Sequence, residues 1–388
     1  MNSTGLPSTP NQKGLFTRPY LIAALAVLLL FLVYAGIYTF YNGYDERSAR
    51  QKELNLNVPA DSLYLSQRQY ARQMDSLVLP YVKARQTSGY FTHRGRRIAY
   101  HQYRLAAPIG NVIISHGFTE RKEKYQEMVY YCLKKGYQVF ILDHFGHGSS
   151  SRASSDSSLV HCSDYHVWVD DLQTFIATIV HPQANGQKTI LYGHSMGGGI
   201  AARTLEEYPQ LVDGLILNTP LFKLLIEGIP DFAGDPVART LVSLGKGSTY
   251  ALGARAFDLK KDKVYHPLIP ATYCDEKGAY WHRYTLGLTQ HPSFGASWAT
   301  ASTLMDLTHS VVKRTNVEKI TIPILLFQAE RDGYVDPKGH FTFANRARNL
   351  EFYRVKGAGH EIYLESNVYT IPYFQEVFRF MGNVKKRQ

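Results

Sequence analysis

The sequence predicts an α/β protein: a mostly parallel sheet flanked by helices, with an inserted helical cap and an N-terminal transmembrane helix. Three observations predict it. From Asn111 onward, apolar runs of five or six residues alternate with helical stretches, the rhythm of a parallel sheet. The β-rich run Lys188-Thr-Ile-Leu-Tyr192 enters the pentad Gly193-His194-Ser195-Met196-Gly197 and leaves it as an alanine-rich helix. Between Leu221 and Glu318 the strand pattern stops. Tyr265, Tyr273, Tyr280, Trp281, Tyr284, Phe294 and Trp298 accumulate there in a stretch of helical texture.

The 388 residues, 45% hydrophobic and 19% charged, suffice for one large domain with an insertion and exclude low-complexity disorder away from the ends. Three widely spaced cysteines, Cys132, Cys162 and Cys274, form neither a disulfide framework nor a C-x-x-C metal pattern, and leave the redox compartment open. Lys and Arg number 43 against 32 Asp and Glu, and the resulting net charge of +11 suits an anionic surface. No nucleic-acid motif accompanies it and the basic residues are spread out, so the expected surface is a membrane and not nucleic acid.

Tyr20 to Tyr41 is a run of 22 residues without a charge. As a helix it would span roughly 33 Å, against a hydrocarbon core of about 30 Å. Its length, the lack of an Ala-x-Ala site and the aromatic belt of Tyr34, Tyr38, Phe40, Tyr41 and Tyr44 favour an uncleaved anchor over a signal peptide. Lys13 and Arg18 precede the span and Arg47, Arg50 and Lys52 follow it, so charge alone does not orient it. A short N-terminal tail usually stays inside. The expected location is therefore the inner (cell) membrane, single-pass, with the large domain on the outer, periplasmic face.

After the span, Asp45 to about Gln86 is polar and punctuated by Pro59 and Pro80, with an amphipathic helix around Leu63 to Val82, and reads as a stalk. A hairpin turns at Arg94-Gly95-Arg96. Asn111–Ser115 and Gln138–Leu142 read as buried strands separated by a helix over Tyr125 to Lys135, and a helix over Tyr165 to Val180 leads to the elbow strand. Gly214–Asn218, Ile322–Phe327 and Glu351–Val355 are further strands, and a final helix covers Tyr369 to Met381. The expected organisation is a tail (1–19), a transmembrane helix (20–41), a stalk (42–86), a first core part (87–220), a cap (221–318) and a second core part (319–388).

Gly-x-Ser-x-Gly between a strand and a helix is a nucleophile elbow, with Gly193 and Gly197 placed where the two elements nearly touch. A serine hydroxyl needs a base, and the base an orienting carboxylate. In this arrangement they follow the serine in chain order, on loops just past strand ends. Asp332 in Glu330-Arg-Asp332-Gly and His360 in Gly357-Ala-Gly-His360 both fit, with Glu330 and Asp336 as competitors for the acid. The oxyanion would be met by the backbone N–H groups of Met196 and of Phe118, in the turn after an early strand. His144 and His147 form an H-x-x-H without a third ligand at useful spacing, so no metal is expected there.

The blocks His116-Gly-Phe-Thr-Glu120, Asp143-His-Phe-Gly-His-Gly-Ser149, Gly193-His-Ser-Met-Gly197, Gln328 to Asp336 and Gly359-His360-Glu361 resemble the α/β-hydrolase superfamily, in its bacterial lysophospholipase and monoacylglycerol lipase branch. The resemblance covers roughly Ser76 to Met381. It implies the triad Ser195, Asp332 and His360, the oxyanion amides Phe118 and Met196, and a glycerol-linked acyl ester as substrate. It departs from the family in the anchor and the cap. The expected activity is cleavage of a lipid ester at the membrane through an acyl-enzyme, without metal or organic cofactor, with Trp281 and Trp298 lining an acyl slot. The rivals are an esterase or peptidase for a soluble substrate and a non-catalytic binding protein.

Overall fold

Among the described residues nine strands build one sheet: β1 (Gln51–Glu53), β2 (Gln86–His93), β3 (Arg96–Tyr103), β4 (Gly110–Ser115), β5 (Tyr137–Leu142), β6 (Thr189–His194), β7 (Gly214–Asn218), β8 (Ile324–Ala329) and β9 (Leu350–Val355). Their spatial order is β1-β9-β8-β7-β6-β4-β5-β3-β2, parallel except where β3 meets β2 and β5. The computed structural model describes residues 18–45, 47, 50–59, 61–225, 231–265, 270–288 and 293–386, without the side chains of 18, 19, 21, 38–42 and 231–233.

The chain divides into two units at Gly43. The first holds the helix Arg18–Asn42, whose described large apolar side chains are exposed. Among the described residues no helix is long and apolar enough to cross a membrane. Part of the expected span Tyr20–Tyr41, namely the side chains of Leu21 and of 38–41, lies outside the described residues.

In the second unit, β4 to β8 are buried along their whole length. Alternate residues serve opposite faces. Val112 and Ile114 of β4 join Val139 and Ile141 of β5 in one apolar cluster with the helices Gln126–Lys134 and Asn367–Lys386. Ile113, Phe140 and Leu142 join the other, with the helices His166–Phe175, Met196–Glu207 and Pro337–Arg346. Two covered faces explain why these strands read as continuous apolar runs. The β2–β3 turn holds Arg94 and Gly95 at φ +47° and +77°, the pair of positive values that suits the twist of a two-residue hairpin.

The segment expected as a stalk is instead part of the domain. β1 pairs in parallel with β9, Gln51 opposite Phe352, and Leu54, Leu65, Tyr70, Met74, Val78 and Val82 are buried in the first cluster. The core therefore begins before residue 87. The insertion between β7 and β8 is mostly helical: Asp231–Leu241, Leu259–Asp262, Asp275–Gly287, Trp298–Val311 and Arg314–Val317. Its later part is built into the core: Leu304, Leu307 and Val311 share a cluster with Ile200 and Leu205 of the elbow helix, and Tyr280 and Trp281 share one with Tyr70.

Candidate active site

The carboxyl ends of β4, β6, β8 and β9 carry the candidate catalytic and oxyanion residues singled out in the sequence, around the place where the chain order reverses between β4 and β6. In an open parallel sheet that is where a ligand crevice forms. Ser195 sits between β6 and the helix Met196–Glu207 at φ +52°, ψ −123°, a strained conformation for a residue with a side chain. A Cβ on Gly193 would lie 2.7 Å from the Cα of Gly198, and one on Gly197 would strike the carbonyls of Ser115 and His116, so both glycines are required by close approach. The elbow is held from both sides. The Ser195 N–H donates to the Asn218 carbonyl at 3.1 Å, and the Ser195 carbonyl accepts the Leu221 N–H at 2.8 Å.

Asp332 lies in the loop after β8 and His360 in the loop after β9. His360 Nδ1 is 2.7 Å from Asp332 Oδ2, while Asp332 Oδ1 accepts the N–H groups of Tyr334 and Val335 at 2.9 and 3.0 Å. Burial alone would lower the pKa of His360, but the charge and hydrogen bond of Asp332 outweigh it and raise the imidazole above its ordinary value. Burial would likewise raise Asp332, yet His360 and the two amides hold it below the usual carboxylate range. With Nδ1 donating to the carboxylate, Nε2 is left as the acceptor that a base needs.

The competing acids are used elsewhere. Asp336 caps the helix Pro337–Arg346 by accepting the Lys338 N–H at 2.9 Å and pairs with Lys223 Nζ at 2.5 Å. Glu330 accepts the Gly357 N–H at 2.8 Å and pairs with Arg354. Among the described residues no hydrogen bond joins Ser195 Oγ to His360. His194, the residue before the serine, packs its ring 4.8 Å from that of His360.

On the oxyanion side, the turn after β4 is held by Glu120, whose Oε2 accepts the Gly117 N–H at 2.6 Å, and Thr119 takes φ +58°. Phe118, half-buried, lies at the tip. Met196 opens the elbow helix, in the first turn where N–H groups have no intrahelical acceptor.

Behind the turn, His116 Nδ1 donates to the Gly117 carbonyl at 2.8 Å and its Nε2 accepts the His144 N–H at 3.1 Å, which fixes one neutral tautomer. His144 Nε2 meets Ser115 Oγ at 2.9 Å, and His147 Nδ1 donates to the Phe145 carbonyl. Burial lowers all three imidazoles, His147 to about 3, so they are neutral packing and turn residues.

For the two tryptophans the structure changes the picture. Trp281 is buried, donates its indole N–H to the Tyr70 hydroxyl at 2.8 Å and packs edge-on against Tyr280 and Tyr284, so it is a satisfied core residue and not the wall of an acyl slot. Trp298 is half-buried at the start of its helix, its N–H donated to the Thr249 carbonyl. An aromatic ring against the candidate histidine is that of Tyr334, 5.0 Å from the His360 ring and 38% exposed. Its position two residues after the candidate acid Asp332 is the signal the sequence offers.

A second group that carried no assigned role in the sequence is Glu120, His194 and Glu361, three buried residues whose ligand atoms lie within 4.8 Å of one another. Lys124 already occupies this ground. Its Nζ donates to Glu120 Oε1 at 2.8 Å and to Glu361 Oε1, so a metal ion would have to displace an ammonium.

A family model described as serine aminopeptidase, S33, matches residues 106–252 and 289–367, including every candidate catalytic and oxyanion position. The chain belongs to this family of α/β hydrolases. The S33 match leaves out 253–288, within the insertion. Among relatives, the chain is 29% identical over 272 residues to lysophospholipase L2 of Escherichia coli (strain K12), covering 66% of this chain and 75% of that one. It is 26% identical over 291 residues to the human monoglyceride lipase, covering 70% and 81%. A soluble variant of the Saccharomyces cerevisiae monoglyceride lipase, solved with a substrate analog, superposes with a TM-score of 0.60 at 20% identity, over 78% of this chain and 96% of that one, and shows a shared fold.

Proposed function

We propose that this enzyme is a membrane-anchored serine hydrolase that removes the acyl chain of lysophospholipids or monoacylglycerols through an acyl-enzyme. The observation that carries the reading is the buried His360–Asp332 hydrogen bond at the strand ends beside the strained Ser195 elbow. The names of the E. coli and human relatives point to a glycerol-linked ester. Ser195 Oγ attacks the ester carbonyl while His360 Nε2 takes its proton. The oxyanion is met by the N–H groups of Met196 and Phe118. The carbonyl–alkoxide bond then breaks, and the leaving glyceryl oxygen takes the proton from His360. Water, deprotonated by the same imidazole, releases the fatty acid and restores Ser195.

The uncharged run Tyr20–Tyr41, helical over Arg18–Asn42, supports the anchor, and the net charge of +11 supports an anionic lipid surface. The insertion over 221–318 is read as the cap over the acyl chain. An inner-membrane location with the domain on the outer face completes the proposal. The description of the family as aminopeptidases favours one rival, a soluble peptide or small-ester substrate. A lipid panel analysed by mass spectrometry, run beside aminoacyl and acetate esters, decides between them. A fluorophosphonate probe should label the native chain and not Ser195→Ala. The full chain should stay in the membrane pellet after alkaline carbonate, and a chain lacking residues 1 to 44 should be at least partly released. Recovery of the full chain in the soluble fraction would remove the anchor.

A further inference from the structure

Lys124 stands on the helical turn Lys122–Tyr125, just after the oxyanion turn, and its ammonium is largely enclosed. Besides Lys124, Glu120 accepts the Gly117 N–H at 2.6 Å, the Tyr125 hydroxyl at 2.6 Å and the Tyr363 hydroxyl at 2.8 Å, so the roughly four acceptor positions of this buried carboxylate are all taken. Glu361 is the neighbour of His360 in the chain, and its N–H donates to the Ala271 carbonyl of the insertion at 2.7 Å. One ammonium thus ties together the oxyanion turn, the histidine loop and, through Glu361, the cap.

We propose that Lys124 is a positioning residue, which by bridging Glu120 and Glu361 fixes the oxyanion turn of Gly117–Phe118 relative to the imidazole of His360, so that amide and base address the same ester. This rests on the roles proposed above for Phe118 and His360. Misplacement by about 1 Å is enough to cost a hundredfold in rate. Without the cation, two buried carboxylates face each other and the loops part or share a proton.

The groups that face His360 are Asp332 and Tyr334 from the acid loop, His194 from β6, His340 from the helix Pro337–Arg346, Glu120 with Lys124 from the oxyanion side, and Glu361. Asp332 dominates, and Glu361 and Glu120 add to it in favouring the imidazolium. Burial raises Glu361 above the usual carboxylate range while Lys124 opposes it, and with both carboxylates ionised the Glu120–Lys124–Glu361 trio carries one net negative charge. Glu361→Gln removes that charge yet keeps an acceptor for Lys124.

The test measures kcat and KM across pH for Lys124→Met, Lys124→Arg and Glu361→Gln, with fluorophosphonate labelling of each. Lys124→Met should lose about tenfold or more in kcat with KM within about threefold, and Lys124→Arg should recover most of the loss. Glu361→Gln should move the acidic limb of kcat/KM to lower pH by about half a unit or more. An unchanged kcat in Lys124→Met would overturn the proposal. So would a lowered melting point in that variant together with a wild-type acidic limb in Glu361→Gln, since a merely structural ion pair does not set the imidazole. If the native chain itself is not labelled, or His360→Ala keeps the native pH profile, the serine-hydrolase reading fails. If both behave as expected while the Lys124 and Glu361 variants match wild type, only the positioning role fails.

Discussion

The Thr219 hydroxyl donates to the carbonyl oxygen of His360 at 2.8 Å, across from the end of β7 to the loop after β9. Thr219 is fully buried and held at φ +43°, a costly conformation for a β-branched residue. A buried hydrogen bond broken on one side costs about 1–3 kcal/mol. Thr219→Val should therefore destabilise the enzyme by about that amount in urea unfolding and lower kcat, while Thr219→Ser should retain both. Equal activity in the two variants would remove the hydroxyl from the account of how His360 is held.

The two nearby acids should behave in opposite ways. Asp332→Asn should lower kcat by about 10⁴-fold, and Ser195→Ala or His360→Ala by about a millionfold, because serine and base act as a unit. Asp336→Ala loses a helix cap and the Lys223 pair, so it should cost about 1 kcal/mol of stability with kcat within a few-fold. The reverse pattern in steady-state assays would make Asp336 the acid.

The pH dependence follows from the direction in which His360 is moved. Asp332 raises the imidazole above its ordinary 6.5, so the protonated, inactive form persists to higher pH. The kcat/KM profile should rise with pH through a midpoint above 6.5 and then level. In Asp332→Asn burial is left as the largest influence, and the residual activity should rise at lower pH. A native midpoint below 6 would contradict the raised imidazole.

Chain length tests the acyl slot. Each methylene moved from water into an apolar slot is worth about 0.8 kcal/mol, so removing two carbons from a monomeric substrate should lower kcat/KM roughly fifteenfold until the slot is filled. The series has to be measured below the critical micelle concentration. A flat profile from about four to twelve carbons would favour the small-ester rival.

Much of this site was legible because its chemistry is local. The elbow needs its glycines and serine within five residues, and the candidate acid and base each sit just past an apolar strand, so spacing and order point to Ser195, Asp332 and His360, with Glu330 and Asp336 as rivals for the acid. What the sequence does not display depends on partners distant in the chain. Gln51-Lys52-Glu53 shows no strand pattern, and its place in the sheet comes from backbone pairing with β9. Lys124 and Glu361 meet from more than two hundred positions apart. Aromatic content alone does not distinguish a slot from a core, and the Tyr70 hydroxyl that satisfies the Trp281 indole lies in a polar, proline-punctuated segment more than two hundred positions earlier.

The β1–β9 pairing also constrains how the chain is made. β1 waits for a partner some three hundred positions downstream, and at roughly 5–20 residues per second that partner is synthesised about 15–60 s later. A strand left open for so long invites pairing with the wrong chain. A charged, three-residue strand is suited to that wait: Lys52 and Glu53 make it a poor template for other strands, and it closes the sheet only once the last strand of the enzyme has emerged from the ribosome.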